Sequence, residues 1–564
     1  MKRRKPINWF LIGLLGLPLL AVGAFFWATN LMADAQAYRS PLAGKSPAPG
    51  EALGSPLARR VVIVLIDALR YDTALKPEVM PFLNDLRTRA ATATMHSHPP
   101  SFSAPSWNTI LTGAWPEIND SQPFNPPDFD HVRPFTQDDI FAAAERAGLR
   151  AAVSGYAWFE GMLLNSGVDA GFYTRGEDAA ADRLVVDAAM PWLTEDYQLI
   201  LIHIDQVDYA GHHEGGPRDP RWDAAARRAD ALLSEIVSHL DLEQDTVILL
   251  SDHGQVARGG HGGPDPVTLV EPFVLVGAGV FPGNYGDINM VDVAPTVSIL
   301  LGTSIPASSQ GHALTDMLTL SPEQEPAIQE ALKVQQDQLF AAYTTAIQSS
   351  AIMGSGEVVS ATQSAMEQAR LARLGRERVW RNVLAAFLAF TPAYLLYLRK
   401  DKKALWLAAG ALCYLVIFNF RYAILDGRTY SLASVEGETW LIVYTATTAA
   451  IGVILGWFIA MIGLRAFRQG ARKAAGVSLG YVWFTIYLLS LPALLSFALN
   501  GVTVTWTLPE FYTLYIGLLS IIQSLIVAAM GLLLVGVSAS VGQIYRFVLR
   551  RFVLRRFVPP ETND

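Results

Sequence analysis

The chain contains 564 residues, of which 51% are hydrophobic, and its formal net charge at pH 7 is −8. This apolar fraction is too high for a wholly soluble protein, and the length is sufficient for two or more domains. The single cysteine, Cys413, excludes both a disulfide framework and a thiolate metal site. We therefore expect a membrane protein with a large soluble part.

Acidic residues are concentrated between Arg59 and Leu318, where 16 Lys and Arg face 35 Asp and Glu, a net charge of −19. The rest of the chain is basic. An acidic soluble part argues against nucleic acid as a partner, because the nucleic-acid backbone is itself negative.

The N-terminal 30 residues have the pattern of a transmembrane anchor. The basic segment Lys2–Lys5 precedes an apolar run from Trp9 to Ala28, which is longer than the roughly 7–15 residues of a signal-peptide core. A cleaved signal peptide is the alternative, because residues 33–37 offer small-residue cleavage sites. We favour an uncleaved anchor over residues 1–30, followed by a flexible Pro-, Gly- and Ser-rich linker over residues 31–58.

From Arg60 onwards, continuous apolar runs alternate with amphipathic stretches. This alternation is typical of buried parallel strands covered by helices on both faces, with ligands bound at the carboxyl ends of the strands. Residues 59–320 are therefore predicted to form an α/β domain with a mostly parallel sheet sandwiched by helices. The predicted strands are Val61–Ile66, Ala151–Ser154, Leu199–Ile204, Thr246–Leu250 and Phe273–Gly277, and the predicted helices are Asp138–Gly148, Ala180–Leu193 and Trp222–Leu240.

Side chains of metal-ligand type follow three of these strands. Six of them form two groups of three, which leaves coordination positions open for substrate, as in a two-metal hydrolytic site with zinc-like ions. Each residue alone has an ordinary alternative, because an Asp after a strand often caps the next helix. We assign that capping role to Asp205 and leave His203 as a non-ligand. The six candidates are Asp67, Asp208, His212, Asp252, His253 and His261.

A candidate nucleophile lies in the segment 99–113. Ser103 comes two residues before Pro105, which can open a helix, so its hydroxyl would sit at a helix amino terminus where backbone N–H groups favour an anion. A serine that only caps the helix would have the same local sequence. This stretch alone leaves both readings of Ser103 open.

Together these segments resemble the alkaline phosphatase superfamily. Within it, the chain is most similar to type I phosphodiesterases/nucleotide pyrophosphatases and to the catalytic domains of GPI ethanolamine-phosphate transferases. The resemblance covers roughly residues 60–318. It rests on LIDALRYD at 65–72, the Ser103-Ala-Pro segment followed by TGAWPE at 112–117, DYAGH at 208–212, and SDHG at 251–254 with a later HGG at 261–263.

The resemblance implies a role for each candidate residue. Asn125 would hold a phosphoryl oxygen, although Asn119 is an alternative that the spacing does not separate. Ser103 would be the nucleophile and form a phosphoseryl intermediate. The implied ligands of one divalent ion, expected to be Zn²⁺, are Asp67, Ser103, Asp252 and His253, and those of the second ion are Asp208, His212 and His261.

The implied activity is that of a metal-dependent phosphodiesterase or phosphoethanolamine-type phosphotransferase. Its substrate would be a phosphodiester or a phosphate linked to a lipid or glycolipid, and the motifs leave hydrolysis and transfer open. A sulfatase-like hydrolase is disfavoured, because Trp107 stands where the sulfatase signature needs Arg. The alternative from another class is a metal-stabilised outer domain, without turnover, of a membrane binding or transport protein.

The remainder of the chain is predicted to return to the membrane. We expect a helical stalk over residues 321–381, a five-helix transmembrane region over residues 382–545 and a basic cytoplasmic tail over residues 546–564. With the anchor this makes six transmembrane helices. Basic segments at 399–403, at 465–473 and in the tail alternate with basic-poor loops, which predicts cytoplasmic termini and an extracytoplasmic catalytic domain.

Overall fold

Residues 8–552 are described in the computed structural model, and they form a sheet domain and a helix bundle. The sheet contains eight strands in the order β4-β3-β5-β1-β6-β7-β2-β8. The strands are β1 (Arg60–Ile66), β2 (Ala91–His96), β3 (Ala151–Tyr156), β4 (Ala170–Thr174), β5 (Leu199–Ile204), β6 (Asp245–Leu250), β7 (Val270–Gly277) and β8 (Gly283–Asn289).

The α-helices are numbered along the whole chain. The first precedes the sheet domain, and the last five follow it. They are α1 (Trp9–Gln36), α2 (Tyr71–Ala74), α3 (Pro81–Leu86), α4 (Ser103–Thr112), α5 (Pro116–Asn119), α6 (Ile140–Arg146), α7 (Trp158–Met162), α8 (Ala179–Ala189), α9 (Gln206–His213), α10 (Pro220–Ser238), α11 (Val293–Leu301), α12 (Gln324–Ala346), α13 (Val358–Arg399), α14 (Lys403–Asn419), α15 (Glu438–Gly463), α16 (Ala471–Asn500) and α17 (Phe511–Phe552).

Helices cover both faces of the sheet, and this explains the uninterrupted apolar runs of its central strands. Alternate residues of a strand point to opposite faces. In β1, Val61, Ile63 and Leu65 belong to the core beneath α4, α6 and α11. The residues between them pack in the second core, beneath α3, α8 and α10. The predicted α/β fold with helices on both faces is confirmed.

One predicted strand runs antiparallel to its neighbours, whereas the sequence predicted a parallel strand. The strand containing Phe273–Gly277 is β7, which pairs antiparallel with both β6 and β2, whereas the other neighbouring strands pair in parallel. No α-helix separates β6 from β7, so the chain lacks the crossover that a parallel return requires. The sheet is mixed, with seven strands in one direction.

The segment predicted as a flexible linker is attached at both ends. After α1, Arg39 pairs with Asp120 at 2.6 Å, and Ser40 N donates to Asp120 Oδ1 at 2.7 Å. Farther along, Leu57 N donates to Leu300 O at 2.9 Å. Only the part of the linker from residue 44 to residue 56 is mostly exposed. The two ends are therefore parts of the folded structure.

The segment predicted as a stalk is also not a separate element. In α12, Ile328 and Leu332 belong to the same core as β1 and α4. The next helix, α13, continues without a break from Val358 to Arg399 and joins the end of the expected stalk to the first expected span. The sheet domain is thus connected to the helix bundle by a continuous helix.

Among residues 8–552, six helices are long and apolar enough to cross a membrane. They are α1, α13, α14 with its π-helical extension to Leu425, α15, α16 and α17. Helix α1 packs against this bundle with one side, where Leu17 is fully buried and Gly13 O accepts from Trp483 Nε1 at 3.0 Å. The basic residues 2–5 and residues 553–564 of the predicted tail lie outside the described residues.

Candidate active site

The site residues meet because β5, β1 and β6 are adjacent parallel strands. Their carboxyl ends lie along one edge of the sheet. Asp67 directly follows β1, and Asp252 and His253 follow β6 after a single serine. Helix α9 starts at the end of β5 and carries Asp208 and His212 one turn apart, on the same helical face.

One group of candidate ligands consists of Asp208, His212 and His261. Each offers one ligand atom, and these atoms lie within 4.8 Å of one another. The Nε2 atoms of His212 and His261 face each other at 3.0 Å. The carboxylate of Asp208 lies 3.4 Å from His212 Nε2 and 3.7 Å from His261 Nε2. A single cation could bind to all three side chains.

The second group is centred on Asp67 and His253. His253 Nε2 lies 3.5 Å from Asp67 Oδ1 and 3.5 Å from Asp252 Oδ2. All three side chains are almost fully buried. Asp67 and His253 also form a potential metal-holding set with Asp208, so the two groups are adjacent and Asp208 lies within reach of both.

Hydrogen bonds to the backbone orient two of the imidazoles. His261 Nδ1 lies 3.0 Å from Ser101 O, and His253 Nδ1 lies 3.2 Å from Gly254 O. Because a carbonyl oxygen only accepts, each Nδ1 carries the proton, and each Nε2 keeps its lone pair for a metal ion. Burial lowers the pKa of His253 to about 4 and that of His261 to about 3, so both rings are neutral at pH 7.

The carboxyl groups of Asp67 and Asp252 are buried close together, and this arrangement favours the binding of a cation. Burial, reinforced by the charges of Asp252 and Asp208, raises the pKa of Asp67 well above its usual value. Burial likewise raises the pKa of Asp252 to about 7. Asp67 Oδ1 is buried and has no hydrogen-bond partner among the described residues. An orphaned carboxylate oxygen beside imidazole lone pairs fits a divalent metal ion.

Ser103 is the first residue of α4, and its hydroxyl does not cap the helix. Phe102 occupies the N-cap position, and no side-chain capping bond is formed there. Instead, Ser103 Oγ lies 3.2 Å from His253 Nε2. The structure thus brings the serine to the second ligand group, with the amino terminus of α4 directed towards the same space.

The two candidate asparagines have different surroundings. Asn125 Oδ1 accepts from Ala104 N at 3.1 Å, which places this side chain next to Ser103. The amide of Asn119 is used within its own turn, where Nδ2 donates to Ala114 O at 2.6 Å and Oδ1 accepts from Ser121 N. Of the two, only Asn125 is placed beside the serine, and its role stays a prediction.

Three further side chains hold the ligands in place, and the sequence motifs did not single them out for this role. His203 Nε2 donates to Asp67 Oδ2 at 3.0 Å. Trp107 Nε1 donates to Asp252 Oδ2 at 2.8 Å. Gln255 Nε2 donates to Asp208 Oδ1 at 2.5 Å. Each motif supplies a candidate ligand. The side chain that donates a hydrogen bond to this candidate ligand comes from a distant part of the chain.

The capping role assigned to Asp205 is wrong. Asp205 occupies the N-cap position of α9, but its side chain makes no capping bond. Asp182 from α8 does this instead, because its carboxylate accepts from Asp205 N at 2.8 Å and from Gln206 N at 3.1 Å. The buried Asp205 carboxyl group lies with Asp67 and His203 in a third set of potential ligands.

The backbone after β1 is strained in order to reach the site. Ala68 has a φ of 58°, which is unfavourable for a residue with a side chain. In this conformation Ala68 N donates to Asp252 Oδ1 at 3.1 Å. Since Trp107 binds the other oxygen, both oxygens of Asp252 are held and the carboxylate has one orientation.

Comparison with known proteins agrees with this geometry. Residues 61–261 match the family model of type I phosphodiesterases/nucleotide pyrophosphatases. The matched segment starts at β1 and ends at His261, so it contains every predicted metal ligand. The resemblance inferred from the motifs is confirmed for this part of the chain.

Two relatives illustrate the similarity over a longer range. The chain is 25% identical to the human GPI ethanolamine phosphate transferase 3 catalytic subunit over 314 residues, which cover 50% of this chain and 28% of the relative. It is 24% identical to the mouse protein of the same name over 530 residues, covering 83% of this chain and 47% of the relative. The chain thus spans less than half the length of these relatives.

Two solved structures with low sequence identity align with slightly less than half of this chain. Murine ectonucleotide pyrophosphatase/phosphodiesterase 5 is 14% identical and aligns over 46% of this chain and 100% of its own, with a TM-score of 0.39. The alkaline phosphatase PafA is 11% identical and aligns over 47% of this chain and 100% of its own, with a TM-score of 0.38.

The helix bundle contacts the site directly. Ser431, in the loop between α14 and α15, donates to Asp265 in the loop that carries His261. At the other side of the site, the ring of Phe124 lies 5.8 Å from that of Phe102 and 6.4 Å from that of Phe511 at the start of α17. The candidate active site therefore faces the end of the bundle.

Proposed function

We propose that this protein is a membrane-anchored phosphodiesterase or phosphoethanolamine-type phosphotransferase that uses two divalent metal ions and Ser103 as its nucleophile. The observation that carries the proposal is the position of Ser103 Oγ, 3.2 Å from His253 Nε2, at the start of α4. Two sets of potential metal ligands surround this point.

The residues of the chain have distinct tasks in the proposed reaction. Ser103 Oγ attacks phosphorus in line, and the bond from phosphorus to the leaving alcohol breaks as the serine ester forms. The amino terminus of α4 and Asn125 hold the phosphoryl oxygens during this step. Attack by water or by a second alcohol on the opposite side then breaks the serine ester and frees Ser103.

Ser103, Asp67, Asp252 and His253 would hold one ion, and Asp208, His212 and His261 would hold the other. Bound divalent ions would neutralise the phosphoryl oxygens and lower the pKa of the attacking hydroxyl. Carboxylate and imidazole ligands are suited to Zn²⁺.

The surroundings of the site support a membrane-borne substrate, and the similarity to known transferases favours transfer over hydrolysis. The site faces the end of the bundle, where Phe124 contacts Phe511, so a phosphate linked to a lipid or glycolipid would meet it at the membrane surface. The relatives named above are ethanolamine phosphate transferases. We propose a small alcohol or a glycolipid hydroxyl as the acceptor.

The proposed orientation places the sheet domain outside the cytoplasm. The loop between α13 and α14 and the loop between α15 and α16 are rich in Lys and Arg, whereas the loops on the other side of the bundle are poor in them. Positive loops are retained in the cytoplasm. The loop containing Ser431, which touches the site, is then extracytoplasmic like the sheet domain.

Ser103→Ala tests the role of the serine. We expect this variant to fold and to retain its metal ions, because loss of a hydroxyl at a helix start costs at most about 0.5–2 kcal/mol. Its turnover of a chromogenic phosphodiester should fall by orders of magnitude, and rapid quenching with labelled substrate should trap label in wild type but not in the variant. The matched control is Ser106→Ala, which removes a buried hydroxyl one turn along α4.

The same experiment separates the alternatives. If Ser103→Ala retained wild-type turnover and no label were trapped in the wild type, a one-step hydrolysis would replace our mechanism. A chain that binds metal but turns over no phosphodiester would favour a non-catalytic outer domain. Added ethanolamine should divert product into a new diester if the enzyme is a transferase, and it should leave the product unchanged if the enzyme is a hydrolase.

A further inference from the structure

A polar cleft outside the candidate active site lies between α13 and the loop that joins α16 to α17. Its empty volume is about 320 Å³ with the open mouth included. Arg378 and Arg381 line it from α13, Asn500 from the end of α16, and Leu508 from the loop. Most of the cleft is narrow, so it suits a few oxygen atoms of a ligand better than a whole headgroup.

Arg381 is a buried cation that has no counterion among the described residues. Its residue exposure is 9%, and its Nε is buried with no acceptor. Within residues 8–552, Arg381 has no hydrogen bond or ion pair with any described group. Burial of an unpaired charge is strongly unfavourable. The buried guanidinium of Arg381 therefore indicates that an anion binds next to it.

The neighbouring charges leave the cleft positive. Arg378 Nε donates to Leu499 O at 3.0 Å, and none of the carboxylates in the described part of the chain forms an ion pair with Arg378. Glu377 also lines the cleft, but its carboxylate is occupied by Arg373 Nε at 3.0 Å and by Trp506 Nε1 at 3.1 Å. Glu510 lies close enough to interact with the charge of Arg378, but its carboxylate accepts from Thr513 N at 2.9 Å. In the described part of the chain, neither guanidinium of the cleft is therefore paired with a carboxylate.

The loop is shaped to approach Arg381. Gly501 has a φ of +86°, and a Cβ at this position would lie 2.6 Å from Arg381 Nη1. Any larger residue would push against the guanidinium. The chain therefore keeps the loop and the arginine in close contact, so that the walls of the cleft are preformed.

The flanking residues place the cleft at the level of the membrane interface. Trp380 and Trp506 lie beside it, and tryptophan is enriched where headgroups meet the hydrocarbon. On the next turn of α13, Val383 is 67% exposed, as expected for a residue facing acyl chains. An anion at this level would be near phospholipid phosphates.

We propose that Arg378 and Arg381 bind a phosphate group in this cleft, and that this phosphate is carried by a phospholipid headgroup at the membrane interface. Guanidinium groups match phosphate with paired N–H donors. The exposed apolar residues next to the cleft would contact the acyl chains. This site is separate from the Ser103 site, because none of the residues assigned to the active site lines it.

The test is ligand-induced thermal stabilisation of the full chain in dodecyl maltoside, a detergent without phosphate. The probes are dihexanoyl phosphatidylglycerol below its micelle concentration, inorganic phosphate at matched ionic strength, and dihexanoylglycerol. We expect the phospholipid to raise the Tm of the wild type. In Arg381→Met, its half-saturating concentration should rise at least tenfold, whereas the matched control Arg376→Met, at an exposed position of α13, should respond like the wild type.

Each outcome decides the proposal. Without ligand, Arg381→Met should unfold at the same temperature as wild type or higher, because the substitution removes an unpaired buried charge. If that variant does not fold, Arg378→Gln should show the same loss of response. Equal phospholipid stabilisation in the wild type and in the variants, or equal stabilisation by dihexanoylglycerol, would overturn the phosphate site. A response to inorganic phosphate at lower concentration than to phospholipid would overturn the lipid assignment.

Discussion

Replacement of Trp107 by Phe tests whether Asp252 is a metal ligand. The indole Nε1 donates to Asp252 Oδ2 at 2.8 Å, while the ring stacks on Phe159 with centroids 4.3 Å apart. Phe keeps an aromatic ring next to Phe159 and removes the donor, together with part of the buried ring volume. Loss of such a partner of a metal ligand weakens metal binding by about 10–100-fold, or ~1.4–2.7 kcal/mol at 25 °C.

The measurement is a zinc titration of the purified full chain in competition with a chromogenic chelator. The matched control is Trp158→Phe. Trp158 lies 6.0 Å from Trp107 between ring centroids, but its buried Nε1 has no acceptor among the described residues. The control should bind zinc like the wild type. Wild-type zinc affinity in Trp107→Phe would refute the assignment of Asp252 as a ligand held by this indole.

The remaining predictions concern the metal ions, the orientation and the response to pH. Chelation should abolish turnover, and His261→Ala should lower the metal content from two ions per chain to one by elemental analysis; full content would contradict the ligand set. In intact cells, Gly50→Cys should react with an impermeant maleimide and Lys402→Cys only after permeabilisation, and the reverse pattern would overturn the orientation. Burial raises the pKa of Asp139 to about 7, so between about pH 4 and 7 the folded chain keeps a proton that the unfolded chain releases. The Tm should therefore fall as pH rises through this window, and Asp139→Asn should reduce the slope; an equal slope would show that another group causes the fall.

The central strands were predictable because both of their faces are buried. Residues 61–66 form an uninterrupted apolar run for that reason, and the ligand following β1 could be located from it. The outer strand β8 was missed, since only Ile288 is buried in it and its sequence shows no apolar pattern. The direction of β7 could not be predicted either, because an apolar run has the same appearance in parallel and antiparallel pairs.

Four of the candidate ligands were visible in the sequence because Asp67, Asp208, Asp252 and His253 lie within four residues of a strand end. Their supports were not visible, because these come from other elements. His203 is one of six residues in a buried strand, and only the pairing of β5 with β1 brings it to Asp67. The need for glycine at position 211 also comes from a contact with another element. A Cβ at this position would lie 1.7 Å from Gln255 Oε1.

The contact between Ser431 and Asp265 makes metal loading and bundle assembly interdependent under the proposed ligand set. The Asp265 loop carries His261, so an ion that fixes His261 also fixes the surface on which the loop containing Ser431 docks. By thermodynamic linkage, each event then favours the other to the same extent. Under this linkage, a chain whose apolar helices have assembled would bind its second ion more tightly than a chain whose helices have not, so that assembly in the bilayer would favour catalytic competence.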